Sequence, residues 1–339
     1  MRPIAELGRL LFAAVFLLHC TMCGALAGDK ILVAGSRLAA AAPLYIAIDR
    51  GLFADEGLEV NLVQLPTANA IATAVTSGSA QFGMSAFSAD FYALAGKGGL
   101  KVIAGGSEEC PGFHGAALVA NKRAYDWGLR KPTDLVGRRV AVTAIGSGSH
   151  NQLVRLAKKY GFKFQDIQVV PLDTLANEVA AIKRGSVDAG PLPALLAKEI
   201  EGSGAGKIIA WMGDEVPTQY GGVFAAPDTI SAHRGSVARF VRAYAKAVAM
   251  YDRAFQQRAA DGTPLKGELY EELLGIIARR TGESRAALAA ALPYFDPQAR
   301  LVVKDMAEQI DVYKNLKLVD RALNVEGVVD PSFVAAEQK

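Results

Sequence analysis

The chain alternates short apolar, β-branched runs with helix-patterned stretches, and it does so twice in the same order. The first copy opens with "KILVAGSRLAAAAPLYIAIDRGLF", an apolar run, a small-residue loop and a helix-like stretch. It continues with "GLEVNLVQLPTAN", a strand ending in a polar turn, then the helix "AIATAVTSG" and a third strand, "AQFGMS". Further on, "RRVAVTAIGSGSHNQLVRLAKKYGF", "DIQVVPLDTLAN", "EVAAIKRG" and "VDAGPL" repeat the same succession. In each copy a Gly-Ser pair closes a helix, with the Gly in the C-cap position, and Gln81 or Asp188 opens a buried strand. Each copy therefore reads β-α-β-α-β, which predicts a mainly parallel sheet flanked by helices. Two copies predict two α/β lobes. Ligands of such sheets bind beyond the carboxyl ends of the strands, so the repeat predicts two binding edges facing one another.

The stretch "LKVIAGGSEECPGFHGAALVAN" predicts strands at Lys101–Gly105 and at 115–120 around a loop. "GKIIAWMGDEV" and "YGGVFAAPDTI" predict two more, and crossings between the lobes are expected near Ala120 and Tyr220. From Ala232 onward the spacing is helical, and "RGSVARFVRAYAKAVAMYDRAFQQR" keeps apolar residues at i, i+3 and i+4 over many turns. These helices are assigned to the first lobe as a cover on its sheet. The expected organisation is a leader at 1–27, a discontinuous first lobe at 28–121 and 219–339, and a second lobe at 122–218.

The leader assignment comes from Arg2 and Arg9, the apolar run "LLFAAVFLL" and the small residues "ALA" at 25–27, the three parts of a secretory signal peptide. The apolar run is shorter than the roughly 20 residues that span a bilayer. Cys20 and Cys23 raise lipidation as an alternative, but His19 and Met22 before them are bulky for such a site. Export to the periplasm is expected. Removing the leader leaves 35 basic and 33 acidic residues and one cysteine, Cys110. No intrachain disulfide is then available, and so slight a positive balance, without a basic run, excludes nucleic acid as a partner.

Four loops are expected to meet in the cleft. The first offers Arg37, Leu38 and Pro43; the second Ser85, Ala86 and Phe87, with Ser88 as a helix cap; the third Ser147, Gly148, Ser149 and His150. Pro191 and Leu192 come from the equivalent end of the second copy. Ser147 and Ser149 stand at a helix start, where exposed N–H groups hold anions. Each residue also has a plainer reading: the serines as caps, Arg37 as a solvated charge, Phe87 as core, His150 as a surface residue. His114, Cys110, Glu108 and Glu109 belong to a loop expected on the hinge side. Two helix N-termini and Arg37 favour an anionic head group, whereas Glu108 and Glu109 favour an amine or a zwitterion.

At "PLYIAIDRGLFADEGLEV", followed by "SGSAQFGMS", the chain resembles the periplasmic substrate-binding proteins of ABC importers in the sulfonate, taurine, nitrate and thiamine-precursor group (NMT1/THI5-like). The resemblance takes in "DLVGRRVAV" and "LVDRALNVEGVVDPSFV", and its most specific motif is A-x-x-x-G-L-F-x-x-E-G-L-x-V at 47–60. It implies the two-lobed type II periplasmic binding protein fold with two hinge strands. It also implies a clamp that closes over a small molecule and presents it to an inner-membrane permease; with the helix N-termini above, the expected reading is a monomer with a small organic anion as ligand. Two alternatives remain open: a pyrimidine or other heterocycle as ligand, with Phe87, Phe113 and Trp211 as walls, and a clamp that senses without transport. No cofactor or metal is expected. Catalysis is not expected either, because H-E-x-x-H, C-x-x-C and G-x-S-x-G are absent and "GSGAGKI" lacks P-loop spacing. The cysteine-rich motif of the related thiamine-pyrimidine synthases is missing too.

Overall fold

The computed structural model describes residues 29–334; the expected leader lies outside them. Its strands are β1 (Asp29–Gly35), β2 (Leu58–Gln64), β3 (Phe82–Ala86), β4 (Lys101–Gly105), β5 (Ser107–Glu109), β6 (Ala116–Asn121) and β7 (Arg139–Val142). They continue with β8 (Gln168–Pro171), β9 (Ala189–Pro193), β10 (Gly206–Trp211), β11 (Thr218–Gln219), β12 (Gly221–Ala225) and β13 (Tyr294–Phe295). Two five-stranded sheets form, in the orders β2-β1-β3-β12-β4 and β10-β6-β9-β7-β8.

The sequence repeat is a topological repeat. β1 is flanked by β2 and β3 as β7 is by β8 and β9, all in parallel. Each sheet then gains one antiparallel strand, β12 in the first and β6 in the second, and ends on a strand beyond it. Both sheets are therefore mixed, with four strands aligned and one opposed. The helices that follow β2 and β8, Ala68–Thr76 and Leu175–Arg184, start alike: Thr67 accepts from Ala70 N–H and Thr174 from Asn177 N–H, each at 3.1 Å. A threonine in that place satisfies one of the N–H groups that a first helical turn leaves without a partner.

The strand at 116–121 corrects the expected boundary. Placed by sequence in the first lobe, it pairs with β9 and β10 in the second sheet. Its all-apolar character reflects cover on both faces: Leu118 and Ala120 enter one apolar layer, Ala117 and Val119 the other. Such a pattern marks a buried strand without saying in which sheet it lies. The first crossing thus falls at 106–115, and the second at Tyr220. Between the sheets the two crossing segments, with β13 added at one edge, form a third, three-stranded sheet, β11-β5-β13.

The long helix Arg234–Phe255 buries Val237, Phe240, Val241, Tyr244, Val248 and Tyr251 along one face. It packs on the first sheet, with the Phe240 and Phe82 rings stacked at 4.1 Å. Helix Val303–Asn315 joins Phe91, Tyr92 and Phe224 on the opposite face.

Candidate functional site

The segments that follow β3 and β7 meet on a seam between the two sheets. The seam is closed by direct bonds. Ala89 N–H donates to the Gly146 carbonyl at 2.8 Å, and the Tyr313 hydroxyl to the Ser147 carbonyl at 3.1 Å. At the rim, the Lys198 ammonium donates to the Ala290 carbonyl. A methyl group added at Gly146 would lie 2.8 Å from the Ala89 side chain, so glycine is what lets the loops meet this closely.

Ser147, Gly148 and Ser149 stand on this seam. Ser147 caps helix Gly148–Tyr160, its Oγ accepting from His150 N–H at 3.3 Å and lying 3.0 Å from Ser149 Oγ. The first-turn N–H groups of Gly148 and Ser149 are among those a helix leaves without an intrahelical acceptor. Gly148 lies against the Tyr220 ring and near the Phe87 carbonyl: an added methyl would sit 3.1 Å from the ring, a tight contact. Ser85 and Ala86, half-buried, end β3 opposite Gly222 and Gly221.

Several expected site residues are placed elsewhere. Arg37 is exposed, with its guanidinium over Gly282 at the end of helix Tyr270–Thr281, where carbonyl groups favour a cation. Leu38 is exposed beside it, and Pro43 is buried in the first turn of helix Ala42–Asp49. The Phe87 ring is core, packed on Phe91 and Tyr92; only its N–H reaches the seam, donating to the Tyr220 carbonyl. Pro191 and Leu192 lie inside β9, paired with Leu118 and Ala117, and Leu192 joins the apolar layer. His150 is buried, its Nδ1 accepting from Gly146 N–H at 2.9 Å, and burial pushes its pKa down. It braces its own loop. The His114 ring is exposed and stacks on Trp211 at 4.0 Å.

The charged groups at the seam are acidic. Glu178, in the first turn of helix Leu175–Arg184, is fully buried, and neither carboxylate oxygen has a hydrogen-bond partner. Burial pushes its pKa up to about 8. Glu109, on β5, accepts from Ala116 N–H at 3.0 Å, and burial holds its pKa at about 7 against that bond. The Tyr220 hydroxyl is pushed upward by burial and by both carboxylates, which places it in the field of the pair.

Glu178 was absent from the sequence-derived site, yet the repeat carries its signal. Aligning Thr174 with Thr67 sets Glu178 opposite Ile71, a core residue of the first copy. A carboxylate in a position whose counterpart is buried and aliphatic needs a partner.

One consequence can be measured by titration. Glu109 and Glu178 hold their protons in the folded chain to a higher pH than ordinary carboxyls near 4.5, so folding takes up protons in that window. The stability they contribute is complete below about pH 4.5 and is lost as pH rises through about 7 and 8. Glu178→Gln has no such proton to lose. At pH 8.5 its melting temperature should exceed that of the ligand-free wild type by roughly 5 °C, with little difference at pH 5. Equal melting curves at pH 8.5 would remove the buried charge from this account.

Residues 39–253 match the family described as NMT1/THI5 like. No curated protein sequence matches the chain. Among solved structures, the alkanesulfonate-binding protein SsuA from Xanthomonas axonopodis pv. citri, bound to MOPS, is 18% identical with a TM-score of 0.68, covering 89% of this chain and 98% of its own. The periplasmic nitrate-binding protein NrtA from Synechocystis PCC 6803 is 13% identical with a TM-score of 0.69, covering 90% and 87%. The desulfurization enzyme DSZB, 13% identical with a TM-score of 0.63, covers 90% and 97%. The fold is thus that of the type II periplasmic binding proteins, and one enzyme is built on it as well.

Proposed function

Because the chain belongs to the NMT1/THI5-like family, we propose that it is the periplasmic substrate-binding component of an ABC importer, a monomer that closes over a small organic ligand and delivers it to an inner-membrane permease. The observation that carries this reading is the seam itself: two sheets are joined by two extended crossings, and the loops that follow β3 and β7 meet there through direct hydrogen bonds. Polar contacts of this kind can be exchanged for contacts with a ligand, which lets a ligand bias an open–closed equilibrium. Binding rather than catalysis is supported by the solved structures of like fold, SsuA and NrtA, which are binding proteins, although DSZB is an enzyme. At the site His150 braces its loop and His114 stacks on Trp211.

An anionic group, of the sulfonate, carboxylate or nitrate class, is supported by the N-terminus of helix Gly148–Tyr160. Arg37 does not reinforce it, since its guanidinium is exposed beside Gly282. A thermal-shift screen of refolded, ligand-stripped protein tests the class, with sulfonates, taurine, nitrate, carboxylates, pyrimidines and riboflavin as probes. A ligand at a hundred times its Kd should stabilise by about 2.7 kcal/mol, a rise of several degrees. A response confined to the heterocycles would replace the anion reading.

A further inference from the structure

We propose that the ligand also carries a cationic nitrogen, an ammonium or amidinium group, held in the seam by the Glu178 carboxylate with Glu109 as second acceptor. The proposal rests on the reading of the chain as a closing binding protein and narrows its ligand to one with a positive centre.

Four observations support it. Both Glu178 oxygens are buried without a partner, and the other buried side-chain atoms in that condition among the described residues, Asn151 Oδ1 and Gln152 Nε2, lie on the other second-lobe helix that starts at the seam. A buried carboxylate without a counter-charge is strongly disfavoured, so its place is explained by a partner that arrives with the ligand. Second, no basic side chain forms an ion pair or hydrogen bond with Glu109 or Glu178 among the described residues. Arg155 is paired with Asp305 and Glu308, Lys198 donates to the Ala290 carbonyl, and Arg37 is exposed beside Gly282. Third, Glu109 and Glu178 come from different parts of the clamp, the three-stranded sheet and a second-lobe helix, both are buried, and the charge of each pushes the buried Tyr220 hydroxyl upward. A cation seated there would be held from two sides, and closure would strengthen the attraction by excluding water. Fourth, the repeat places Ile71 where the second copy has Glu178, so the fold does not itself call for a carboxylate at this point.

Fragments that fill only the proposed subsite test this without knowledge of the full ligand. Ligand-stripped wild type, Glu178→Gln and Glu109→Gln are melted at pH 8 in 50 mM methylammonium or acetamidinium chloride, in sodium methanesulfonate and in sodium chloride at equal ionic strength. The wild type should melt roughly 2–5 °C higher in either nitrogen cation than in sodium chloride. Glu178→Gln should lose that rise, and Glu109→Gln should retain part of it. A wild type that responds to neither cation overturns the proposal, as does a rise that survives in Glu178→Gln. Circular dichroism confirms that each variant is folded. The methanesulfonate arm reports separately on the anion reading: stabilisation by methanesulfonate alone would leave an anion-binding clamp and remove the cation subsite.

Discussion

Replacing Gly221 with alanine should lower the melting temperature by roughly 4–8 °C, the cost of an overpacked site of about 2–3 kcal/mol. Gly221 begins β12 directly after the crossing at Tyr220. An added methyl group would sit 2.4 Å from the Ser85 carbonyl oxygen and 3.0 Å from its carbon. Those are backbone atoms fixed by the β3–β12 ladder, so no side-chain rotation relieves the clash. The other crossing is pressed against the same point. Gly106 N–H donates to the Gly221 carbonyl at 2.9 Å, and a methyl at Gly106 would lie 2.8 Å from the Gly221 carbonyl carbon. The two crossings therefore run backbone against backbone, and a side chain on either would part them. Gly235→Ala is the matched control: it has open space in helix Arg234–Phe255 and should be neutral or stabilising by up to about 1 kcal/mol. Equal losses in both variants would show that the close approach is unimportant.

Arg155→Ala should cost more, about 3–5 kcal/mol, because it strands a buried carboxylate. Arg155 Nη1 lies 2.7 Å from Asp305 Oδ1, with both side chains largely buried, and also donates to Thr218 Oγ1 at 3.1 Å. Its Nη2 donates to the Pro217 carbonyl and to Glu308. Asp305 in turn accepts from Gln219 N–H at 2.8 Å and from Gln309 Nε2 at 2.7 Å. One guanidinium thus ties a second-lobe helix to the crossing strand β11 and to the helix Val303–Asn315. Burial pushes the Asp305 carboxyl up while Arg155 pulls it down, so removing the arginine leaves only the unfavourable influence of the two. Adding Asp305→Asn to Arg155→Ala should recover part of the loss, since an amide needs no counter-charge. Chemical denaturation of the three variants measures this directly; a double variant as unstable as the two single losses added together would show that the pair is not coupled.

The parts of the molecule that the sequence discloses are those where local pattern and global fold agree. The threonine caps, the glycine helix ends and the run of apolar positions from Val237 to Tyr251 each determine their element without outside help. The two repeated units and their parallel strands follow from these. What stayed hidden depends on distant partners. β11 and β13 are two residues long and exist only because β5 lies between them, so no periodicity could announce them. Arg37 is expected inward because its loop follows β1, but it is exposed, with its guanidinium beside Gly282, more than two hundred residues later in the chain. Phe87 stands at the correct place on the backbone, but its ring turns into the core and leaves only its N–H at the seam. Glu178 could have been found by setting the two copies side by side, because it breaks the repeat at a buried position.

The central claim, that the chain is a clamp, is tested most directly by a distance across its mouth. Spin labels at Glu199 and Ala287, introduced as cysteines in a Cys110→Ser background, flank the rim contact between Lys198 and Ala290. Pulsed dipolar spectroscopy of ligand-stripped protein should show a long, broad population beside a short one, and a ligand identified by the thermal screen should collapse both into the short distance. A single short distance in the stripped protein, unchanged by that ligand, would contradict the clamp.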